Sequence, residues 1–209
     1  MLFKNREDAA NKLAAVLKKY KRQKDIIIVA LPRGGVVLGR IVAETLGAPL
    51  DLVVPRKIGS EYNAEYAIGA ITETGEAVWN EGERRAADPE YLKKIIRTEC
   101  AESARRLKVY RKGLPARILE DKIVIIVDDG IATGLTMRAA VKSVRAANPK
   151  KIIVAVPVAP PDAVAELGKA ADEVMVLDQP ESLGAIGQFY EEFPQVEDGE
   201  VIKLMRPQS

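Results

Sequence analysis

The sequence predicts an α/β protein with an open, mainly parallel sheet flanked by helices and a helical insert. Short β-branched apolar runs alternate along the chain with segments of helical periodicity, and this alternation is typical of a parallel sheet. The length of 209 residues suits one domain with a large insert. Hydrophobic residues make up 47% and charged residues 30%, which favours a folded globular chain over a disordered one.

The first third of the chain predicts helices and strands in alternation. Apolar residues spaced i, i+3, i+4 and i+7 predict an amphipathic helix over 6–22, within an N-terminal segment 1–24. The apolar run 26–31 is short and ends in Pro-Arg-Gly-Gly, so it predicts a buried strand that enters a loop. Further elements are expected in this third: a helix over 36–46, a strand over 51–55, and a hairpin over 67–72 and 76–80.

Residues 81–121 interrupt the alternation and predict a helical insert between two core strands. The insert is basic, and two interpretations of it stay open: a lid at the rim of the site, or a dimer interface. Its apolar residues suffice for one packed face, so we expect it to lie on the core and not in it. These residues are Leu92, Ile95, Ile96 and Leu107.

The remaining chain completes the core and ends in an acidic tail. We expect strands over 122–127, 151–159 and 173–177, and helices over 135–147 and 161–170. The α/β core then spans 25–177, and the tail 178–209 is rich in loops, with a short helix near Glu200.

The segment VIIVDDGIATGLT, residues 124–136, has the strongest functional signal. A buried strand ends in Asp128 and Asp129, and a loop with Gly130 and Gly134 leads into a helix. Backbone amides at a helix N-terminus bind phosphate, and carboxylates accept hydrogen bonds from sugar hydroxyls. The combination predicts a site for a ribose 5-phosphate. The alternative, a strand end that merely caps a helix, suits a lone acidic pair better than this whole pattern.

The composition excludes several other kinds of chemistry. The chain contains no histidine, which removes histidine-dependent triads, imidazole acid–base steps and histidine-ligated metals. The single cysteine, Cys100, excludes an internal disulfide framework and a cysteine-based zinc cluster. Neither a Walker A loop nor a GxGxxG fingerprint is present. No apolar run approaches a membrane span or a signal-peptide core, so we expect a cytoplasmic protein without a membrane partner.

The segment VIIVDDGIATGLT, residues 124–136, resembles the signature for 5-phosphoribosyl 1-diphosphate (PRPP) in type I phosphoribosyltransferases. Together with ALPRGG, PRKIG and AIGAI, it resembles a less-defined subgroup with a helical insert, over most of residues 25–195. PRPP synthases share a similar signature, but they are longer and built from two related halves. The resemblance implies an enzyme that transfers phosphoribosyl from PRPP to a nitrogenous base, purine-like or pyrimidine, and releases pyrophosphate. It also implies that the tail forms a hood over the base.

The resemblance implies a role for each residue of the signature. Asp128 and Asp129 would contact the ribose hydroxyls, and the loop after them would bind the 5-phosphate. The expected loop ligands are Gly130, Ala132, Thr133, Gly134, Leu135 and Thr136. Oxopurine-salvaging members carry Asp where this chain has Ala132, as adenine-type members do, so acid–base help to an oxopurine from this position is in doubt.

A second anion site is expected at the PRGG loop. Arg33 offers a bidentate phosphate donor, and Gly34 and Gly35 let the backbone approach a ligand closely. The resemblance implies that this loop binds pyrophosphate, often through a cis peptide. Arg56 and Lys57 are expected at the end of the second strand, at the same sheet edge. The alternatives are a tight turn with a surface arginine and ordinary solvated charges.

The expected catalytic residues are Arg33, Lys57, Asp128 and Asp129. They would position PRPP and stabilise the departing diphosphate. Mg²⁺ is the expected cofactor, held mainly through substrate phosphates, so no dedicated metal-ligand cluster of the protein is expected.

The tail gathers aromatic residues in an aromatic-poor chain. As part of the hood, Phe189 and Tyr190 would stack on the base; packing of the tail on the core is the alternative. The expected partners are PRPP, a small nitrogenous acceptor and a second copy of the chain, without nucleic acid.

Two other functions compete with transfer. The first is a PRPP-binding regulatory protein without turnover, whose basic helices 6–24 and 91–117 would face nucleic acid. The second is a nucleotide-binding oxidoreductase, which would need an acidic residue where Arg56 and Lys57 stand.

Overall fold

The structure is a computed structural model that describes residues 1–21 and 23–206. Within these residues the chain forms eight strands: β1 (Ile26–Ala30), β2 (Leu50–Leu52), β3 (Arg56–Gly59), β4 (Ala67–Ile71), β5 (Ala77–Trp79), β6 (Ile123–Val127), β7 (Lys151–Val158) and β8 (Glu173–Asp178). The α-helices of the same residues are α1 (Arg6–Leu17), α2 (Gly34–Leu46), α3 (Glu81–Ala86), α4 (Pro89–Arg111), α5 (Leu135–Arg145), α6 (Pro161–Leu167) and α7 (Asp198–Leu204).

The main sheet has five parallel strands in the order β2-β1-β6-β7-β8, which confirms the predicted fold class. Its central strands are β-branched and fully buried because helices cover both faces. The chain moves outward in one direction from β1 to β2 and in the other direction from β6 to β8. The order therefore reverses between β1 and β6, the place where open α/β sheets bind ligands.

A second, antiparallel sheet of β3, β4 and β5 lies beside the main one. The predicted hairpin is confirmed as β4 and β5. The predicted strand over 51–55 is too long, because β2 ends at Leu52 and Pro55 has no N–H to donate to a ladder. As a result, Arg56 and Lys57 begin β3, and the prediction that they end a parallel strand is wrong.

The N-terminal helix is shorter than the sequence predicts. α1 begins after Asn5, whose side-chain oxygen accepts a hydrogen bond from the Asp8 amide at 3.0 Å. It ends at Leu17, and a 3₁₀ turn follows over Lys18–Tyr20. Arg22, the end of the predicted helix, lies outside the described residues.

The insert contains α3 and α4, and α4 connects the two sheets. Its first half packs on the second sheet through apolar residues that include Leu92, Ile95 and Ile96. Its second half carries Leu107 and Tyr110 into the main core, so the expectation that the insert stays out of the core is wrong. A helix of 23 residues is about 35 Å long, enough to reach from one sheet to the other.

The tail and the N-terminus are held together at one edge of the fold. The Phe3 amide donates to the Phe189 carbonyl at 2.8 Å, and the Glu191 amide donates to the Phe3 carbonyl at 2.8 Å. The short helix expected near Glu200 is confirmed as α7. Across the described residues, the helices are too short or too polar to span a bilayer.

We expect loss of the Tyr110 ring to destabilise the fold strongly. The ring is 1% exposed and its hydroxyl donates to Asp198 Oδ1 at 2.8 Å. Tyr110→Ala should lower the free energy of unfolding by about 3–5 kcal/mol, since large aromatic-to-alanine changes leave a cavity. Tyr110→Phe should cost only about 1 kcal/mol, the worth of one hydrogen bond. Urea denaturation measures both.

The matched control is Tyr62→Ala, because Tyr62 is 94% exposed. It should change stability by less than about 0.5 kcal/mol. A Tyr110→Ala protein as stable as this control would show that α4 does not belong to the core.

Candidate active site

Two loops meet at the carboxyl ends of β1 and β6. These strands are neighbours in the sheet, with Ala30 opposite Val127. The Leu31 amide donates to the Val127 carbonyl at 3.0 Å, which extends the pairing into the loops. The PRGG loop and the acidic signature therefore lie side by side at the reversal of strand order.

Glycines let the N-terminus of α2 rest directly on the acidic pair. A Cβ atom added to Gly34 would lie 1.8 Å from Asp129 Oδ2, and one added to Gly35 would lie 2.8 Å from Asp128 Cα. The Pro32–Arg33 peptide bond that precedes them is cis. The structure thus brings these sequence-predicted residues together.

The two carboxylates of the pair have different surroundings. Asp129 is 9% exposed, and its Oδ2 accepts a hydrogen bond from Arg6 Nε at 2.8 Å. Asp128 Oδ1 accepts the Asp129 amide at 2.8 Å. Burial and the adjacent Asp129 charge raise the pKa of Asp128 well above its usual range. Burial also raises the pKa of Asp129, although the Arg6 guanidinium opposes this shift.

The loop after the pair forms an open cradle at the start of α5. Ala132 and Thr133 are exposed, and Gly134, with a φ of +76°, turns the chain into α5. Among the described residues, no side chain caps this helix, so its first amides, at Leu135 and Thr136, point out of the helix end without an intrahelical acceptor. Gly130 fits under the tail, since a Cβ there would lie 2.6 Å from Ile186 Cγ2.

Arg33 extends from the PRGG loop toward the tail and the insert. Its Nη1 lies 3.5 Å from Asp198 Oδ1 at the start of α7, the oxygen that also accepts the Tyr110 hydroxyl. About a third of the Arg33 side chain and half of the Asp198 side chain are exposed. The pair is therefore open to solvent and to a ligand.

Arg56 and Lys57 point to opposite faces of the second sheet, because neighbouring side chains of a strand alternate. Arg56 lies opposite Ile71, on the face that packs on α4, and its Nε donates to Glu99 Oε2 at 2.8 Å. Lys57 lies opposite Ala70, which packs against Leu135 at the start of α5. Lys57 is exposed and lies on the face of the sheet that packs on the start of α5, whereas Arg56 is directed to the insert.

Tyr190 is buried by the core and does not present its ring to a ligand. It is 5% exposed, and its ring lies between those of Phe3 and Phe193, with centroid distances of 5.4 and 4.8 Å. Its hydroxyl donates to the Asp129 carbonyl oxygen at 2.6 Å, and burial raises its pKa. This arrangement favours the packing alternative for Tyr190. Phe189 is half-buried and packs against the same core.

Sequence reasoning missed Arg6, which it placed only within the basic N-terminal helix. Arg6 is 8% exposed and contacts Asp129. A signal was available in the sequence: a cation in the first turn of a helix opposes the helix dipole, so it needs a partner elsewhere. The identity of that partner follows only from the fold.

The comparisons with known proteins agree with this geometry. Residues 2–189 match the family model described as phosphoribosyl transferase domain. The chain belongs to the phosphoribosyltransferase family.

Particular relatives resemble nearly the whole chain. It is 40% identical over 206 residues to two proteins from strains of Mycobacterium tuberculosis, whose names assign them provisionally as phosphoribosyl transferases. The match takes in 98% of this chain and 46% of theirs, so the chain spans about half the length of these curated relatives.

Two solved structures resemble the fold. The crystal structure of TT1426 from Thermus thermophilus has 38% identity and a TM-score of 0.83, over 98% of both chains. A purine phosphoribosyltransferase from Pyrococcus horikoshii has 21% identity and a TM-score of 0.50, over 92% of this chain and 89% of that one. The second likeness concerns the fold alone.

We expect Gly35→Ala to separate the two loops. The new methyl group would meet backbone atoms of Val127 and Asp128, which cannot rotate away. Overpacking of this kind should lower the free energy of unfolding by about 1–3 kcal/mol. Thermal and urea unfolding measure the loss.

Gly199→Ala provides the control, because a Cβ at this helical position has no atom within 4 Å. It should stabilise the chain by about 0.5–1 kcal/mol through helix propensity. Equal stability of the Gly35 and Gly199 variants would contradict the close approach of α2 to the acidic pair.

Proposed function

We propose that this chain binds PRPP and transfers its 5-phosphoribosyl group to a nitrogenous base, with release of pyrophosphate. The observation that carries the proposal is the meeting of an acidic pair with two anion-binding loops at the reversal of strand order. Carboxylates suit a ribose diol, and the flanking amides suit its phosphates. Membership of the phosphoribosyltransferase family supports the same reaction class.

In this proposal the 5-phosphate lies in the cradle at the start of α5. The loop ligands are the amides and hydroxyls of residues 130–136, with Thr133 exposed and ready to donate. The helix dipole favours an anion at this end. Asp128 accepts from the ribose hydroxyls beside the cradle.

The diphosphate is proposed to bind Arg33, the amides of Gly34 and Gly35, and Lys57. The bond between C1 of the ribose and the diphosphate oxygen breaks, and a bond between C1 and a base nitrogen forms, while the nitrogen loses its proton to solvent. Negative charge grows on the leaving group and positive charge grows on the sugar ring. Arg33 and Lys57 stabilise the negative charge on the leaving group, and the acidic pair stabilises the positive charge on the sugar ring. This chemistry requires no histidine.

Magnesium fits this site as an ion carried by the substrate. Within residues 1–21 and 23–206, no group of three or more acidic, histidine or cysteine side chains converges as a metal cage. Mg²⁺ prefers phosphate oxygens and retained water, so the protein need only hold the phosphates. When bound, it would neutralise charge on the departing diphosphate.

The acceptor is proposed to enter between the acidic signature and the tail. Ala132 is exposed and has no carboxylate, which favours a base that needs no acid–base help from this position. Residues 25–177 form the PRPP-binding core in this proposal, 81–121 the insert and 178–209 the hood, of which 207–209 lie outside the described residues. The active form is proposed to be a homodimer, which sizing chromatography tests.

We expect PRPP with Mg²⁺ to raise the melting temperature, because a ligand of the native state at about 100 times its Kd adds about 2.7 kcal/mol. Differential scanning fluorimetry measures the shift, with NAD as the control ligand. Pyrophosphate release is then followed over a panel of purine and pyrimidine bases. A shift with NAD and none with PRPP would overturn the proposal. PRPP binding without release on any base would support the regulatory alternative.

We expect Lys57→Met to weaken PRPP binding by about tenfold, the loss of one charge-assisted contact. Arg56→Met is the matched control, since Arg56 is the adjacent cation on the other face of the same strand and pairs with Glu99. It should bind PRPP within about twofold of the parent. Isothermal titration calorimetry compares them. The reverse order of the two affinities would remove Lys57 from the site.

A further inference from the structure

Arg6 is a buried cation at the start of a helix, where cations are unfavourable. It is the first residue of α1 and is 8% exposed. The partial positive charge of the helix N-terminus disfavours a guanidinium there, and burial adds a desolvation cost. The surroundings of Arg6 must offset both.

The Arg6 guanidinium contacts the acidic signature and the tail at once. Nε donates to Asp129 Oδ2 at 2.8 Å, and Nη1 donates to the Pro194 carbonyl oxygen at 2.6 Å. The guanidinium carbon lies 3.7 Å from the centroid of the Phe193 ring. Arg6 thus connects α1 to the loop after β6 and to the tail.

Asp129 is enclosed on several sides by these contacts. Its Oδ2 accepts from Arg6 and lies against Gly34, where even a methyl group would collide with it. Its carbonyl oxygen accepts the Tyr190 hydroxyl. Asp128 has no direct bond to a cation among the described residues: its Oδ1 accepts the Asp129 amide, and Arg6 acts on it only through its charge.

We propose that Arg6 is a positioning residue that fixes Asp129 against α1 and leaves Asp128 as the carboxylate that meets the ribose hydroxyls. This division of roles rests on the proposed function. The adjacent acids of the signature are then not equivalent: one organises the loop, and the other binds the ligand.

The proposal predicts a pH signature. The titratable or charged groups that face Asp129 are Arg6, Asp128 and Tyr190. Without Arg6, the pKa of Asp129 in the folded chain rises further above its value in the unfolded chain, because the attraction that opposes burial is lost. The folded state then binds more protons than the unfolded state, so stability falls as pH rises.

The experiment is a double-mutant cycle of Arg6→Met, Asp129→Asn and the double variant. Urea unfolding is measured from about pH 4 to about pH 7. The free energy of unfolding of Arg6→Met should fall further below that of the parent as pH rises, because the unpaired Asp129 carboxyl must then ionise. The same substitution in the Asp129→Asn background should show a much smaller fall with pH, because only the charge effect of Arg6 on Asp128 then remains. The double variant removes both members of the buried pair and so leaves neither without its partner, which keeps it folded even if Arg6→Met is not.

Ligand binding provides the second readout. Arg6→Met should weaken PRPP binding by about tenfold, and Arg6→Lys should restore part of the loss by returning the charge. Asp128→Asn should weaken PRPP binding more than Asp129→Asn. Arg40→Met is the matched control, because Arg40 pairs with Glu44 within α2 at 2.7 Å, away from the acidic pair. It should leave PRPP affinity unchanged.

Each outcome decides between positioning and simple packing. One contrary result is that Arg6→Met lowers the free energy of unfolding by the same amount at every pH, both in the parent and in the Asp129→Asn background. That result would mean that Arg6 only packs on Phe193, and it would overturn the proposal. A greater loss of PRPP affinity in Asp129→Asn than in Asp128→Asn would reverse the assigned roles. A parent chain that binds no PRPP would defeat the proposed function and the ribose role of Asp128. In that case the stability cycle alone would still report whether Arg6 acts through Asp129.

Discussion

The close approach of α2 to the end of β6 is the constraint on which the site depends. Two glycines bring the helix start against Asp128 and Asp129, at distances that no side chain would allow. Because β1 and β6 are paired through their last residues, this contact holds the PRGG loop and the acidic signature in one register. The parallel sheet provides the reversal of strand order, and the glycines turn that reversal into a single site.

Segments distant in sequence reach the site through a few polar contacts. Arg6 comes from the N-terminus, Tyr190 from the tail and Asp198 from α7. Tyr110 of the insert shares Asp198 with Arg33, so the insert is also connected to the PRGG loop. The N-terminal helix, the insert and the tail thus converge on the core, and a buried insert residue lies close to a predicted ligand contact.

The sequence predicted the main sheet and the strand and helix on either side of the acidic signature well, because these depend on local patterns. Runs such as 123–127 are buried on both faces and can hardly form anything but central strands. Prediction from the sequence failed where contacts between distant segments decide the structure. Because β2 ends before Pro55, Arg56 and Lys57 begin a strand of the second sheet. α4 is long enough to place Tyr110 in the core of the main sheet. The partner of Arg6 is 123 residues away along the chain, beyond any periodicity.

Two arginines near the acidic pair differ in how freely they can exchange partners. Arg6 and Asp129 have side chains only 10% and 12% exposed, so separating them would leave a buried charge without compensation. Arg33 and Asp198 are 34% and 54% exposed and 3.5 Å apart, a kind of pair worth about 0.2–1 kcal/mol. Arg33 can therefore leave its carboxylate at little cost, while Arg6 cannot. Burial thus makes Arg6 part of the framework of the site and leaves Arg33 able to exchange partners.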